Sequence, residues 1–377
     1  ALLSLTMFPL FFGPQDEALY GVCHEPAPGE SQPLGVVICQ PVLHESADAR
    51  RALRALGDQL ASAGLSVMRF DYFGTGDSAG ESDAATVQRW ADDIGLAIEE
   101  LKASRGLSSV GLVGLRIGAS LAARVAAQRD DLAQLVLWEP VVDGGQYVES
   151  LRELQSAWLD HETRERPGAR KLATVDEVVG FPLPLALREG LAGIDLTEDP
   201  LPRVQRTLIV DEGGGGNLDV LAARLQSGGG TQGGRWWSGL ASCLRRRAKP
   251  GSPGSVGRAG RVGHRGGGPM MEHAVRMGPW RSSLGVVTLP EAGQAVPGAP
   301  VVVFLNAGLL HHSGPHRLNV QLARRLAAKG VASLRFDLSG IGDSGVRRDR
   351  MGRQESTVRE TRDALDHMAS SYGAETF

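Results

Sequence analysis

The stretch Val110–Ala126 constrains the fold most, because a short apolar strand, a tight turn and an alanine-rich helix follow one another directly. Gly114 and Gly118 enclose the turn, and glycine fits where a chain bends sharply and packs closely. Arg116 lies at the tip of the turn. A strand that passes straight into a helix is typical of α/β architecture. We therefore expect this helix to pack back onto a parallel sheet.

Strand and helix patterns alternate between Ala18 and Val210, which predicts a doubly wound, mostly parallel sheet. In such sheets, ligands bind at the carboxyl ends of the strands. The predicted strands are Ala18–Val22, Leu34–Cys39, Leu65–Phe70, Leu135–Trp138 and Thr207–Val210, and the predicted helices outside the opening stretch are Ala47–Ala63 and Thr86–Lys102.

An internal repeat divides the chain. Leu65–Gly80 reads LSVMRFDYFGTGDSAG, and Val331–Gly345 reads VASLRFDLSGIGDSG. At an offset of 266 residues, the RFD triplet and the following G-x-G-D-S are identical in the two stretches. With small gaps, residues 7–103 recur as 271–377, and the second copy ends before any equivalent of the Gly114–Gly118 turn.

Residues 220–271 contain no Asp or Glu, although the chain has 43 acidic residues, and they are crowded with Gly and Arg. This composition predicts a disordered, basic linker. A second interpretation is out-of-frame translation of a GC-rich gene, with Met271 as the start of a related neighbouring gene. Resequencing the DNA distinguishes the two.

Five motifs together resemble the α/β-hydrolase superfamily: FFGP…GV, the strand and loop before His44, RFDYFGTGDS, GLRIGA and LVLWEPVVDG. Within it they are similar to the serine aminopeptidase-like group, which includes hydrolases associated with exosortase systems. The resemblance implies an α/β-hydrolase-like domain at 7–225 with a cap at about 147–201. A Gly/Arg-rich or aberrant segment at 226–270 and a truncated second hydrolase-like unit at 271–377 follow.

Gly114-Leu115-Arg116-Ile117-Gly118 occupies the place of the G-x-S-x-G nucleophile elbow of this fold. A guanidinium cannot attack a carbonyl and stays charged. Arg116 either binds an anionic group or an oxyanion at a helix N-terminus, or pairs with a carboxylate such as Glu139 or Asp143 and plugs a dead site. Ser120, one helical turn further, is either a substitute nucleophile or a helix serine packed against the sheet.

The resemblance implies an acid after a late strand and a base after the last one. Asp211 is the predicted acid, with Asp219 as the alternative, and His264 is the predicted base. A carboxylate that caps a loop is the competing interpretation of Asp211.

The oxyanion loop of this fold would correspond to Gln40–His44, and backbone N–H groups there and beside Arg116, at Leu115 and Ile117, would stabilise a tetrahedral intermediate. His44 is alternatively a turn residue. In the second copy, His311 and His312 hold the corresponding place.

Asp71, Gly74, Gly76 and Ser78 do not fit a dinucleotide fingerprint, because the spacing is G-x-G-x-x-x-G and no helix opens on it. We predict that they form a structural turn, with Asp71 and Ser78 bonding its backbone.

A net charge of −3 argues against nucleic-acid binding, and no apolar run approaches the roughly 18 residues of a membrane span. Three cysteines without metal spacing indicate a reducing compartment and predict a cytoplasmic location. We expect no cofactor and no metal.

The predicted function is hydrolysis of an ester, thioester or amide, or acyl transfer, on a small-molecule acyl substrate, with Arg116 placing activity in doubt. The alternative is a non-catalytic relative that binds an acyl or anionic metabolite or a protein partner. A third possibility is a broken fusion of two hydrolase genes. The oligomeric state is left open.

Overall fold

The computed structural model describes residues 6–27, 29, 31–165, 176–211, 216–227, 270–347, 349 and 351–377. The chain divides into two compact units. Unit 1 contains His24–Gly74 and the described chain from Gly80 to Ser227. Unit 2 contains Met7–Cys23, Thr75–Ala79 and the described C-terminal residues from 270 onward. Two short segments of the predicted first domain thus pack with the C-terminal residues.

The strands are β1 (Thr6–Phe12), β2 (Leu19–Glu25), β3 (Leu34–Cys39), β4 (Ser66–Phe70), β5 (Ser109–Leu115), β6 (Leu132–Trp138), β7 (Glu177–Val178), β8 (Phe181–Pro182), β9 (Arg206–Val210), β10 (Met271–Met277), β11 (Ser283–Leu289), β12 (Val302–Phe304) and β13 (Ser333–Phe336). The described helices are α1 (Leu43–Ser62), α2 (Val87–Arg105), α3 (Ile117–Ala127), α4 (Gly144–Glu165), α5 (Leu185–Ala192), α6 (Gly216–Ser227), α7 (Leu318–Ala327) and α8 (Arg353–Tyr372).

Unit 1 is built on parallel strands in the order β4-β3-β5-β6-β9, so the predicted parallel α/β sheet is confirmed. The strands are apolar and largely buried, as expected of a sheet covered by helices. Helix α2 begins after Thr86, whose side chain accepts the Arg89 N–H, and ends at the left-handed Gly106. Helix α1 begins at Leu43, four residues before the predicted start at Ala47, and so includes His44.

An insertion of α4, the β7–β8 pair and α5 separates β6 from β9. It begins at Gly144, close to the predicted cap boundary at 147. A Cβ on Gly144 would lie 1.8 Å from the Leu191 carbonyl oxygen, so only glycine allows α4 to start against α5 there. The role of this insertion as a cap stays a prediction.

Unit 2 carries a sheet in the order β10-β11-β13-β12, in which β12 and β13 are parallel and the other pairs are antiparallel. Its core includes Leu334 and Phe336 of β13 packed with Ala364 and Met368 of α8. The β12–β13 register, Val302 opposite Ser333, equals the β3–β4 register, Val36 opposite Val67, displaced by 266 residues. The evolutionary origin of the sequence repeat stays a prediction.

Helix α6 ends at Ser227, and residues 228–269 of the predicted Gly/Arg-rich segment lie outside the described residues. Among the described helices, none combines the length and apolar composition that a bilayer-spanning helix requires.

Candidate functional site

Arg116 lies at the predicted strand-to-helix corner, between the end of β5 at Leu115 and the start of α3 at Ile117. Its backbone has φ 55° and ψ −125°, a strained conformation for a residue with a side chain. Neither Gly114 nor Gly118, on either side of Arg116, has room for a side chain. A Cβ on Gly114 would lie 2.3 Å from the Ala119 Cα, and one on Gly118 would lie 2.3 Å from the Cys39 carbonyl oxygen. The turn therefore holds the elbow geometry with a cation at its tip.

Strain is also present where the two neighbouring strands end. Leu43, shortly after β3, has φ 56°, and Glu139, directly after β6, has φ 42°. Non-glycine residues with positive φ concentrate at functional sites, where the surrounding structure must hold them in place. Their occurrence at the carboxyl ends of three adjacent parallel strands marks this edge as the candidate site.

The Arg116 guanidinium is held by groups from two other elements. Its Nε donates to Glu45 Oε1 at 2.9 Å, and its Nη1 donates to the Glu139 carbonyl oxygen at 3.4 Å. The Tyr147 hydroxyl donates to the second oxygen of Glu45 at 3.1 Å, and the Tyr147 ring centre lies 6.0 Å from the guanidinium carbon. The carboxylate that forms the ion pair with Arg116 is Glu45, which α1 brings to the elbow because it starts early. Glu139, one of the two carboxylates predicted as a partner, also favours the charged form of Arg116 through its negative charge.

Glu45 and Tyr147 were missed by the sequence reasoning. Glu45 directly follows His44, so its place in the predicted oxyanion loop was a usable signal. Tyr147 follows the start of α4, and nothing in the sequence relates its position to the elbow.

The surroundings of the site determine the protonation states of Arg116, Tyr147 and His44. Burial opposes the charged form of Arg116, but Glu45 outweighs burial and raises the pKa of the guanidinium. Burial and the adjacent Glu45 raise the pKa of Tyr147, so its hydroxyl stays protonated and can donate. Burial lowers the pKa of His44 below its usual value, which favours a neutral imidazole at pH 7. The Nδ1 atom of His44 is buried and makes no hydrogen bond within the described part of the chain.

A cavity of about 440 Å³ opens beside the Arg116 side chain. Apolar and polar residues from the loop after β6, from α4 and from the start of α6 form its wall. They are Pro140, Val141, Val142, Asp143, Gln146, Tyr147, Ser150, Gly216, Asn217 and Leu218. This volume suits a small amphipathic ligand.

Ser120 is fully buried in α3, and its hydroxyl donates to the Val141 carbonyl oxygen at 2.6 Å. This placement supports the packing interpretation of Ser120 over a nucleophilic one. Asp211 directly follows β9 and is half-buried, whereas Asp219 is exposed on α6. The assignment of either residue as the acid stays a prediction. His264 lies outside the described residues, so the assignment of the base stays a prediction.

Gln40 is buried, and its Nε2 donates to Asp71 Oδ1 at 3.0 Å. Arg50 donates to the same oxygen at 2.7 Å. Gln40 and Asp71 therefore tie the loop after β3 to the loop after β4. Leu115 and Ile117 flank Arg116, and their proposed role as oxyanion donors stays a prediction.

The remaining predicted turn residues have conformations that fit a structural role. Gly74 and Gly76 have φ 75° and 46°. A Cβ on Gly74 would lie 2.7 Å from the Glu81 carbonyl oxygen. In unit 2, Ser78 Oγ accepts the Tyr20 N–H at 2.9 Å, which fixes the end of the turn to β2.

Residues 32–173 match the family model of serine aminopeptidases, S33. The match covers less than half of the chain, and it assigns this stretch to the serine aminopeptidase-like α/β-hydrolases, as the resemblance predicted. No curated protein sequence matches the chain. The association with exosortase systems stays a prediction.

Several solved structures are similar to part of the chain. Est1E from Butyrivibrio proteoclasticus is 16% identical over 58% of this chain and 84% of its own, with a TM-score of 0.42. An esterase of Pyrococcus furiosus is 14% identical over 55% of this chain and 70% of its own, with a TM-score of 0.36. Mouse alpha/beta hydrolase domain-containing protein 10 is 16% identical over 54% and 76%, also with a TM-score of 0.36. The family match, rather than these likenesses, carries the assignment.

Proposed function

We propose that unit 1 is an α/β-hydrolase domain whose elbow site binds a small carboxylate-bearing molecule and does not form an acyl-enzyme. The observation that carries this proposal is Arg116 itself. Its guanidinium takes the nucleophile's place and lines the cavity, and its Nη2 makes no hydrogen bond with the described residues. That nitrogen is available to a carboxylate oxygen, and charge-assisted hydrogen bonds of this kind are among the strongest.

Covalent catalysis has no support from the groups around the elbow. A guanidinium has no nucleophilic lone pair at ordinary pH. The Ser120 hydroxyl is buried and donates to Val141, so an attack by its oxygen on a substrate in the cavity would require the helix to move.

The cavity wall favours an amphipathic ligand. Val141, Val142 and Leu218 offer apolar contacts, whereas Gln146 and Asn217 offer amide groups. Glu45 receives hydrogen bonds from Arg116 and Tyr147 and holds the guanidinium in place. A carboxylate with a short acyl chain, such as hexanoate, suits this combination.

A second candidate is hydrolysis by an activated water, and two observations favour it. The family match indicates ester or amide hydrolysis, and His44 is half-buried beside Glu45, with a lowered pKa and an Nδ1 that makes no hydrogen bond in the described regions. In this scheme His44 takes a proton from water, the water oxygen attacks the carbonyl carbon, and Arg116 stabilises the oxyanion. The proton then passes to the leaving group.

Both candidates are tested on the full chain with hexanoate in thermal-shift and calorimetric titrations and with p-nitrophenyl hexanoate in a turnover assay. Binding predicts that hexanoate raises the melting temperature of the wild type and that Arg116→Ala weakens affinity by about 10- to 100-fold. Arg124→Ala is the matched control. Arg124 lies on α3, the helix that directly follows Arg116, is similarly exposed at 33% against 35%, and pairs with Asp199.

Turnover that is abolished by both Arg116→Ala and His44→Gln would support the hydrolytic candidate instead. Hexanoate affinity that is equal in the wild type and Arg116→Ala would contradict the binding proposal.

A further inference from the structure

Unit 2 contains a buried cluster of imidazoles and carboxylates that the proposed function does not use. Asp77 comes from the loop of the first repeat copy, and His311 and His312 follow β12. Asp77 and His312 are completely buried, and the His311 side chain is 8% exposed. One ligand atom from each of these three residues lies within 4.8 Å of the others. A second triad, His311 with Asp337 and Asp343, meets the same distance limit.

The orientation of His312 is fixed from one side of its ring. His312 Nδ1 contacts Asp337 Oδ2 at 2.8 Å, and its backbone N–H donates to the other oxygen of Asp337 at 2.7 Å. Metal-binding histidines commonly donate their second ring N–H to a carboxylate in this way, because the bond selects the tautomer and aims the remaining nitrogen.

The other ring nitrogen points at Asp77. His312 Nε2 lies 2.8 Å from Asp77 Oδ2, and both atoms are buried. Asp77 is held in turn by Arg335, whose Nε donates to Asp77 Oδ1 at 2.6 Å. The second oxygen of Asp77 is thereby directed at the imidazole.

We propose that Asp77, His311 and His312 bind one Zn²⁺ ion, with Asp337 as the carboxylate that orients His312. Two imidazoles and one carboxylate form a donor set that Zn²⁺ prefers, whereas Mg²⁺ and Ca²⁺ prefer oxygen ligands. The three ligand atoms lie within 4.8 Å of one another, and the ring of His311 would exchange one of its contacts, with Ser313 or with Asp343, for the ion. Because the ligands are buried, the ion joins the loop at Asp77 to the segment after β12 and stabilises unit 2.

A proton on His312 competes with Zn²⁺ for this site. Burial lowers the pKa of His312, but Asp77 and Asp337 outweigh burial and raise that pKa to about 10 in the metal-free protein. An imidazolium would then bridge the two carboxylates, and Zn²⁺ must replace the proton on Nε2. The experiment must therefore distinguish an ion from an imidazolium.

The test uses the full, untagged chain after treatment with EDTA, titrated with ZnCl₂ in a calorimeter and analysed for metal content after gel filtration. The expected result is one Zn²⁺ per chain in the wild type and an affinity at least about 100-fold lower in His312→Gln and in Asp77→Asn. His273→Gln is the control, because His273 is an exposed histidine of the same unit and its replacement should leave binding unchanged.

Folding of each variant is checked by circular dichroism, because both variants alter buried groups. Should they not fold, Co²⁺ added to the wild type decides the question. Intense visible absorption bands typical of a four-coordinate site, together with loss of the His312 Nε2 proton signal by NMR, support the proposal. A wild type that binds neither Zn²⁺ nor Co²⁺, or a folded His312→Gln that binds Zn²⁺ as tightly as the wild type, overturns it in favour of the imidazolium bridge.

Discussion

The two RFD loops, Arg69–Ser78 and Arg335–Ser344, share seven residues in the same order but have different partners. Arg69 Nε donates to the imidazole of His24 at 2.8 Å, whereas Arg335 Nε donates to the buried carboxylate of Asp77 at 2.6 Å. The last serine behaves alike in both, since Ser78 and Ser344 each accept a backbone N–H from a neighbouring strand. The motif therefore sets the turn, and residues elsewhere in the chain decide what chemistry surrounds it.

Asp71 and Asp337, the aspartates of the two RFD triplets, also have different partners. Asp71 receives the Gln40 amide and the Arg50 guanidinium, both of which keep their protons. Asp337 receives the Asn306 amide and the His312 ring. An imidazole can exchange its proton for a metal ion, and this difference separates a structural loop from a candidate metal site.

The largest expected difference between the loops comes from their arginines. Arg335→Ala leaves two buried carboxylates, Asp77 and Glu272, without this cation, and we expect a loss of about 3–5 kcal/mol in the free energy of unfolding. Arg69→Ala removes a hydrogen bond to His24 and should cost about 1–3 kcal/mol. Urea unfolding with hydrogen exchange at β13 and β4 measures both. Equal losses would contradict the comparison.

Opposite pH dependences are expected from the carboxylates that hold the two loops. Asp93 accepts the Phe73 N–H, and burial raises its pKa to about 6. The folded state therefore binds more protons than the unfolded state between about pH 4 and 6, and the free energy of unfolding falls by up to about 3 kcal/mol as pH rises through that window. Asp93→Asn should flatten this slope in urea titrations at pH 4 and 6.5.

In the second loop, Glu360 takes the role that Asp93 has in the first loop, because it accepts the backbone N–H of Ser339. Burial acts to raise its pKa, but hydrogen bonds from Ser339, Ser356 and Arg347 outweigh burial and lower it. Its contribution to stability is present above the usual pKa of a glutamate and is lost as pH falls through the lowered value. The Glu360→Gln variant should therefore lose stability relative to the wild type near pH 7 and less at acid pH. A wild-type-like pH profile would count against this assignment.

A smaller difference is expected between the equivalent glycines Gly74 and Gly340. Their φ angles are positive and similar, 75° and 77° respectively, so an alanine costs about 1–2 kcal/mol at either position. A Cβ at Gly74 would also lie 2.7 Å from a backbone oxygen, whereas at Gly340 the nearest atom is a side-chain carbon at 3.7 Å. Gly74→Ala should therefore be less stable than Gly340→Ala by about 1–3 kcal/mol in urea unfolding. The reverse order would be inconsistent with the crowding around Gly74.

The smallest effect concerns the elbow. Arg116 pairs with Glu45, like Arg335 with Asp77, but its side chain is 35% exposed and that of Arg335 is 0% exposed. Arg116→Ala should change the free energy of unfolding by no more than about 1 kcal/mol while it weakens hexanoate binding by about 10- to 100-fold. Thermal unfolding of this variant and of Arg124→Ala measures the difference, and a loss above about 3 kcal/mol would assign Arg116 a structural role.

The sequence predicted the structural features that depend on residues close together in the chain. Glycine spacing predicted the Gly114–Gly118 corner, and hydrophobic periodicity predicted the parallel strands around it. The sequence did not predict contacts between side chains that are far apart in the chain. Glu45 pairs with Arg116 across 71 residues, and His312 faces Asp77 from the other end of the sequence. No spacing rule relates such positions, because only the packed sheet brings them together.

The role of the Arg116 guanidinium is tested most directly by NMR of the full chain with arginine side chains labelled with ¹⁵N. Hexanoate is titrated into the sample, and the Arg116 signals are identified by their loss in Arg116→Lys. A cation that binds the ligand predicts a saturable shift of the Arg116 Nε signal, with the Arg124 signal unmoved. Unchanged Arg116 signals at saturating hexanoate, or a new serine-bound acyl group after addition of p-nitrophenyl hexanoate, would contradict it.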